Sequence, residues 1–208
     1  MPKSLRTGQG IRRGGTQYET IHAALAKAAA YELADAGYAD FMPESVALRA
    51  GVSARTAFRH YESKLALALA GIQSLPTYTG WLDARAPDES FADRLRNGLR
   101  SGVTYFELVG YIAASAVSFR ESQPELLKAL RNHVLAPRDK AIAKFLAEGQ
   151  RAGVFRPGVQ ASALAAADLG IFTMVAIGQF TLGRGEIRVQ RLFEQYWPLM
   201  ALPDHLND

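Results

Sequence analysis

The sequence predicts an all-α fold in two parts, a small N-terminal group of three helices followed by a larger helical domain. Three observations carry that expectation. Apolar residues recur at intervals of three and four, with no sustained alternation of the kind a half-buried strand needs. Gly37, Pro43, Gly51 and Pro76 divide the first part into short segments whose ends carry residues suited to helix termini. A chain of 208 residues, 49% of them hydrophobic, can also bury a sizeable core.

Residues 1–15 contain Lys3, Arg6, Arg12 and Arg13 with no acid and no apolar run. They read as a flexible basic arm and not as a secretory signal. The first clear helix is expected from Thr16 to Ala36, with Ile21, Leu25, Ala28, Ala29 and Leu33 as its apolar stripe and Gly37 as its stop. A second, short helix starts at Pro43, whose fixed φ suits a first turn, and Glu44 complements that positive end. Val46, Ala47 and Ala50 form its inner face. Ser53 is a good N-cap for a third helix through His60, and Ser63 caps a fourth that runs to Leu75 before Pro76.

A boundary zone around Ala84–Ser90 follows, and then helices at about Ser90–Phe106, Val109–Ser122, Pro124–Ala152, Gln160–Leu182 and Glu186–Ala201. Pro137 makes the third of these either two helices or one bent helix. The resulting division is an arm over 1–15, a three-helix unit over 16–62 and a helical domain over 63–208.

Several function classes are disfavoured. Cysteine is absent, which removes disulfides, thiolate metal ligands and thiol nucleophiles and suits a reducing cytoplasm. The most apolar stretch, Ala161–Gly178, has Asp168 at its middle, a cost of roughly 2.5–3.5 kcal/mol on insertion scales, so it is expected inside protein and not in lipid. His22, His60, His133 and His205 show no metal-ligand spacing. No nucleophile motif or phosphate-cradling glycine loop is present, so no catalytic residues, metal or cofactor are expected. Residues 1–65 hold nine basic and six acidic side chains, which places most of the net charge of +4 at the N-terminal end. A local positive field of that kind favours a polyanion, although by itself it is also an ordinary solvated surface.

The informative segment is Glu44–Leu67, ESVALRAGVSARTAFRHYESKLAL, which reads as a short helix, a turn at Gly51 and Val52, a second short helix and a capped start to the next. This is the layout of a helix-turn-helix, whose second helix reads the major groove of duplex DNA. The segment resembles the tetracycline-repressor (TetR) family of bacterial regulators. The resemblance rests on Gly37-Tyr38, Val46-Ala47, Ala50-Gly51-Val52-Ser53, Thr56, Phe58, His60, Tyr61 and Ser63-Lys64 before Leu67, and at motif level it covers residues 16–70.

The resemblance implies that Ser53, Arg55, Thr56, Phe58, Arg59 and His60 lie on or near the DNA-facing side of the third helix and that Lys64 meets a phosphate. The chemistry suits those roles. Arg55 can bond a guanine edge in pairs, Thr56 can bond a phosphate or touch a thymine methyl, and His60 can donate to a phosphate. The sequence departs from the family pattern at three positions: Phe58 where tyrosine is usual, Ala57 where leucine is common, and Met42 where a Ser or Thr cap is common. The basic arm either follows the minor groove or flanking phosphates or has no role.

The resemblance further implies an effector pocket and a dimer interface in the larger domain. Trp81, Val103, Tyr105, Phe106, Tyr111, Phe119, Phe172 and Met174 are candidate pocket residues, with His133 and Gln179 as polar orienters; each pocket residue taken singly reads more readily as core. Leu164, Leu169, Phe180, Leu192, Phe193 and Tyr196 are candidate interface residues, with plain intrachain core as the alternative. The expectation is a cytoplasmic all-α homodimer that binds a palindromic operator on double-stranded DNA, represses, and is released by an apolar or aromatic small-molecule effector. The alternatives are a regulator controlled by a protein partner and a helical ligand carrier.

Overall fold

The computed structural model describes residues 10–77, 89–176 and 186–207. Among these the chain is helical apart from turns and one isolated antiparallel bridge between Phe155 and Ala201. The elements are α1 (Gly10–Asp40), α2 (Pro43–Arg49), α3 (Ala54–His60), α4 (Lys64–Ser74), α5 (Phe91–Ser118), α6 (Pro124–Leu130), α7 (Ala136–Arg151), α8 (Ala161–Ala176) and α9 (Glu186–Met200).

The first four helices begin and end where local chemistry dictates. Gly37 leaves helical geometry at φ 67° and ψ 172°, a region open to glycine because it has no Cβ. Met42 makes no side-chain cap bond, and Pro43 opens α2 without needing an N–H. Ser53 accepts from the Thr56 N–H at 3.2 Å, and Ser63 accepts from the Ala66 N–H at 3.0 Å. One boundary differs. Helix α1 starts at Gly10, six residues before Thr16, so the backbone of the last part of the expected arm is helical; Gly14 and Gly15 weaken a helix interior without forbidding it.

Two further expectations about segments are corrected. The helices expected at Ser90–Phe106 and Val109–Ser122 are one helix, α5, capped by Ser90, which accepts from the Asp93 N–H at 3.0 Å. Nothing between them breaks a helix, since Glu107 and Leu108 are both good helix formers. The choice left open by Pro137 resolves into α6, a π-helical turn at Arg131–Leu135, and α7. There the Ala136 N–H reaches back five residues to the Arg131 carbonyl. That slip accommodates a proline that has no N–H and whose ring excludes the carbonyl four residues back.

Two apolar clusters form the interior. One joins α1–α4 with α6 and the C-terminal half of α5, through Leu25, Leu33, Phe41, Val46, Leu67, Ile72 and Ile112. The other joins the N-terminal half of α5 with α7, Phe155, Leu164 and α9, through Leu95, Phe106, Phe145, Leu192 and Trp197. Helix α5 thus belongs to both and connects them rigidly. Helices α1 and α4 approach closely because Gly71 has no side chain: a Cβ there would lie 2.8 Å from the Ala30 backbone nitrogen.

Candidate nucleic-acid interface

Helix α3 has seven residues, too few to persist alone, so its surroundings must hold it. Its inner face is Ala57, 1% exposed, and His60, 8% exposed. The small Ala57 allows α3 to sit close against its neighbours. The Ser53 cap fixes its start, and Ser53 Oγ also lies 2.9 Å from Thr56 Oγ1. Helix α2 is tied to α1 from the other side by Arg49, whose Nη2 lies 2.7 Å from Asp35 Oδ2 and 3.5 Å from Glu32 Oε2.

With that bracing, Ser53, Arg55, Phe58 and Arg59 are all exposed along one side of α3, and Thr56 is half-buried beside them. Five of the seven expected residues therefore share one accessible edge: two guanidinium groups, an aromatic ring and two hydroxyls. Phe58 is 48% exposed, an apolar ring with no core to join. Such a set can bond phosphates and base edges and can contact a thymine methyl.

His60 is a correction to the expected set. Its ring turns inward and stacks on Tyr18 of α1, with centroids 4.1 Å apart and planes 21° apart. Neither ring nitrogen has a hydrogen-bond partner. Burial pushes its pKa below the ordinary histidine value, and His22 and Arg59 push it the same way. A ring so placed cannot donate to a phosphate without leaving its site. Next to it, His22 stacks on Tyr61 at 4.4 Å, and the Tyr61 hydroxyl donates to the His22 carbonyl at 3.0 Å. Burial raises the Tyr61 phenol to about 12. Tyr18 and His22, four apart on α1, were missed in the sequence, where only their i, i+4 spacing could have marked them.

Lys64, at the start of α4, donates from Nζ to the Ala39 carbonyl at 3.0 Å and lies 4.9 Å above the Tyr38 ring. Its ammonium is thus engaged within the chain, against the end of α1.

The candidate pocket residues do not surround one cavity. Val103 and Phe106 are buried in the second cluster. Phe119 meets Tyr38 edge-on at 5.2 Å beside the first. The 16 residues from Val103 to Phe119 correspond to about 24 Å along a helix. His133 binds the Leu75 carbonyl at 3.0 Å, and Met174 is exposed. Tyr105 and Tyr111 do line an open groove of about 910 Å³ between α1, α4 and α5, together with Tyr31, Ala34, Ser74 and Leu108. Trp81 and Gln179, and the side chain of Phe172, lie outside the described residues.

Four of the six interface candidates fit the alternative of intrachain core. Leu164, Leu192, Phe193 and Tyr196 are all buried within their own chain, packed in the second cluster. Phe180 and the side chain of Leu169 lie outside the described residues. Among the described side chains of α8 and α9, the large apolar groups left exposed are Met174, Ile187 and Leu199.

A capped, braced α3 presenting a cationic and aromatic edge, joined through a long shared helix to a larger helical domain, defines the class of helix-turn-helix proteins. No protein-family model matches the sequence, and no curated protein matches it. Solved structures do. A TetR transcriptional regulator from Chloroflexus aurantiacus J-10-fl is 19% identical, with 92% of this chain and 99% of that chain covered and a TM-score of 0.64. NemR of E. coli in its reduced form is 15% identical, with 89% and 98% covered and a TM-score of 0.66. The fatty acid degradation regulator FadR from Bacillus halodurans is 15% identical, with 93% and 97% covered and a TM-score of 0.64. The fold is that of TetR-family regulators over nearly the full length.

Proposed function

We propose that the protein is a transcription regulator that binds duplex DNA sequence-specifically through α3. The observation that carries this is the outward edge of α3, where Arg55, Phe58 and Arg59 are exposed on a helix whose other side is fixed by a serine cap and buried contacts. Residues of that kind, held rigidly and left unpacked, serve recognition better than stability. The fold shared with known regulators supports the reading by analogy.

The finer reading is a cytoplasmic homodimer that represses from a palindromic operator and is released by an apolar or aromatic effector. Two-fold symmetry would place two α3 helices on successive major grooves. Exposed Met174, Ile187 and Leu199 on α8 and α9 offer apolar surface for the pairing. The open groove between α1, α4 and α5, with three tyrosines in its wall, offers an aromatic effector contact with both the α1–α4 unit and α5. Release would be a population shift, with the effector binding the DNA-incompetent arrangement more tightly than the competent one.

The test is titration of duplex DNA at several salt concentrations with the unmodified protein, Arg55→Ala and Arg59→Ala. DNA binding through α3 predicts a steep salt dependence and a loss of about 1–3 kcal/mol on removing a base-bonded arginine. Affinity unchanged in both variants would remove α3 as the reading helix.

A further inference from the structure

Outside the α3 edge, the most unusual chemistry in the described residues is the four-ring cluster where α1 meets the end of α3. Tyr18 lies on His60, His22 lies on Tyr61, and the two imidazole centroids are 5.8 Å apart. His60 Nδ1 and Nε2 and His22 Nδ1 are buried without a hydrogen-bond partner. Most buried polar side chains are satisfied, so three orphaned ring nitrogens in one cluster need an explanation.

We propose that this cluster is an acid-sensitive latch, in which the neutral His60 ring docks α3 on α1 and its protonation releases α3. A neutral ring buries one unpaired N–H and one unpaired acceptor nitrogen, a smaller cost than burying a charge. A charged ring at the same place holds two N–H donors with no acceptor and must be taken out of water to stay docked. Among the described residues, the groups bearing on His60 are Tyr18 and His22 from α1, Arg59 from α3 and Tyr61 from the following turn, and no carboxylate is among them. Arg59 repels an imidazolium. The Tyr18 face attracts one, but Tyr18 is itself 46% exposed, and a cation–π contact at such a site is weak. Docking and protonation therefore compete, as the lowered His60 pKa also indicates.

The consequence for DNA rests on the reading above: acid would lower operator affinity by reducing the fraction of molecules with α3 in place. The latch itself is tested without DNA, so its failure is distinct from failure of that reading. Hydrogen exchange is followed in the full chain at pH 7.5 and pH 5.5, corrected for the intrinsic pH dependence of exchange, alongside His60→Phe, which keeps an aromatic ring and cannot titrate. The expected result is that α3 amides lose protection at pH 5.5, toward a limit of about tenfold set by a released histidine of ordinary pKa 6.5 at a pH one unit lower. Amides of Val109–Ala116 in α5 are expected to keep theirs, and His60→Phe to lose the pH dependence. Equal α3 protection at both pH values, equal loosening of α3 and α5, or a pH effect that persists in His60→Phe would overturn it. Should His60→Phe fail to fold, the ring C–H resonances of His60 in the unmodified protein decide: titration below the ordinary histidine value supports the latch, and titration at or above it overturns it.

Discussion

The backbone N–H of Tyr38 donates to Ser115 Oγ at 2.8 Å, across 77 residues of sequence. This bond joins the end of α1 to α5, the helix shared by both apolar clusters. Gly37, one residue earlier, turns the chain so that the N–H points that way, and the Tyr38 ring in turn lies beneath the Lys64 ammonium. One short segment therefore connects the three-helix unit, the start of α4 and the larger domain.

Replacing Ser115 with Ala leaves the part-buried Tyr38 N–H without its acceptor. The expected cost is about 1–3 kcal/mol of unfolding free energy, read from chemical denaturation. An unchanged midpoint and slope would mean that water or another acceptor takes the bond over.

Ser53 separates stability from recognition. Ser53→Ala removes the α3 cap and is expected to cost about 1 kcal/mol. Ser53→Asp keeps a capping oxygen but adds a negative charge to the exposed edge, so it should fold as stably as the parent and bind duplex DNA more weakly at low salt. Denaturation and DNA titration of the two variants check this pairing, which fails if Ser53→Asp binds as well as the parent.

These positions show what was legible in sequence. Ser53, Ser63, Pro43 and Gly37 act on backbone groups within four residues, so residue type and spacing were enough to place α2, α3 and the ends around them. The outward edge of α3 came from the family resemblance and not from periodicity, and the exposure of Arg55, Phe58 and Arg59 fits it. His60 does not, because its direction depends on Tyr18, 42 positions earlier. Leu192, Phe193 and Tyr196 were recognisable as an apolar face, but periodicity does not say whether a face is covered by its own chain or by a second copy. The described members of the candidate pocket are spread over different surroundings for a related reason. Aromatic residues along one helix point to different sides, and a list of them carries no geometry.

Gly71 is the close contact between α4 and α1, and the neighbour of its missing Cβ is backbone that cannot swing away. Gly71→Ala should therefore destabilise the fold by about 1–3 kcal/mol, although alanine is the better helix former. A gain in thermal midpoint would show that the two helices can separate without loss.

Stability should also depend on pH through His60. Its pKa is lower in the folded protein than the ordinary 6.5, so below that value the unfolded chain binds more protons than the folded one. The contribution is complete above pH 6.5 and is lost as pH falls below it toward the folded-state pKa. Thermal midpoints from pH 8 to pH 5 should be flat and then decline, with a smaller decline in His60→Phe. A midpoint that rises on acidification in this window would reverse the sign.

Sequence-specific reading of DNA by α3 is tested by selection of genomic duplex fragments by the purified protein at physiological salt, with Arg55→Ala in parallel. The account predicts recovery of a shared inverted repeat by the unmodified protein and its loss or relaxation at one position per half-site in Arg55→Ala. Fragments with no common sequence, recovered equally by both proteins, would contradict it.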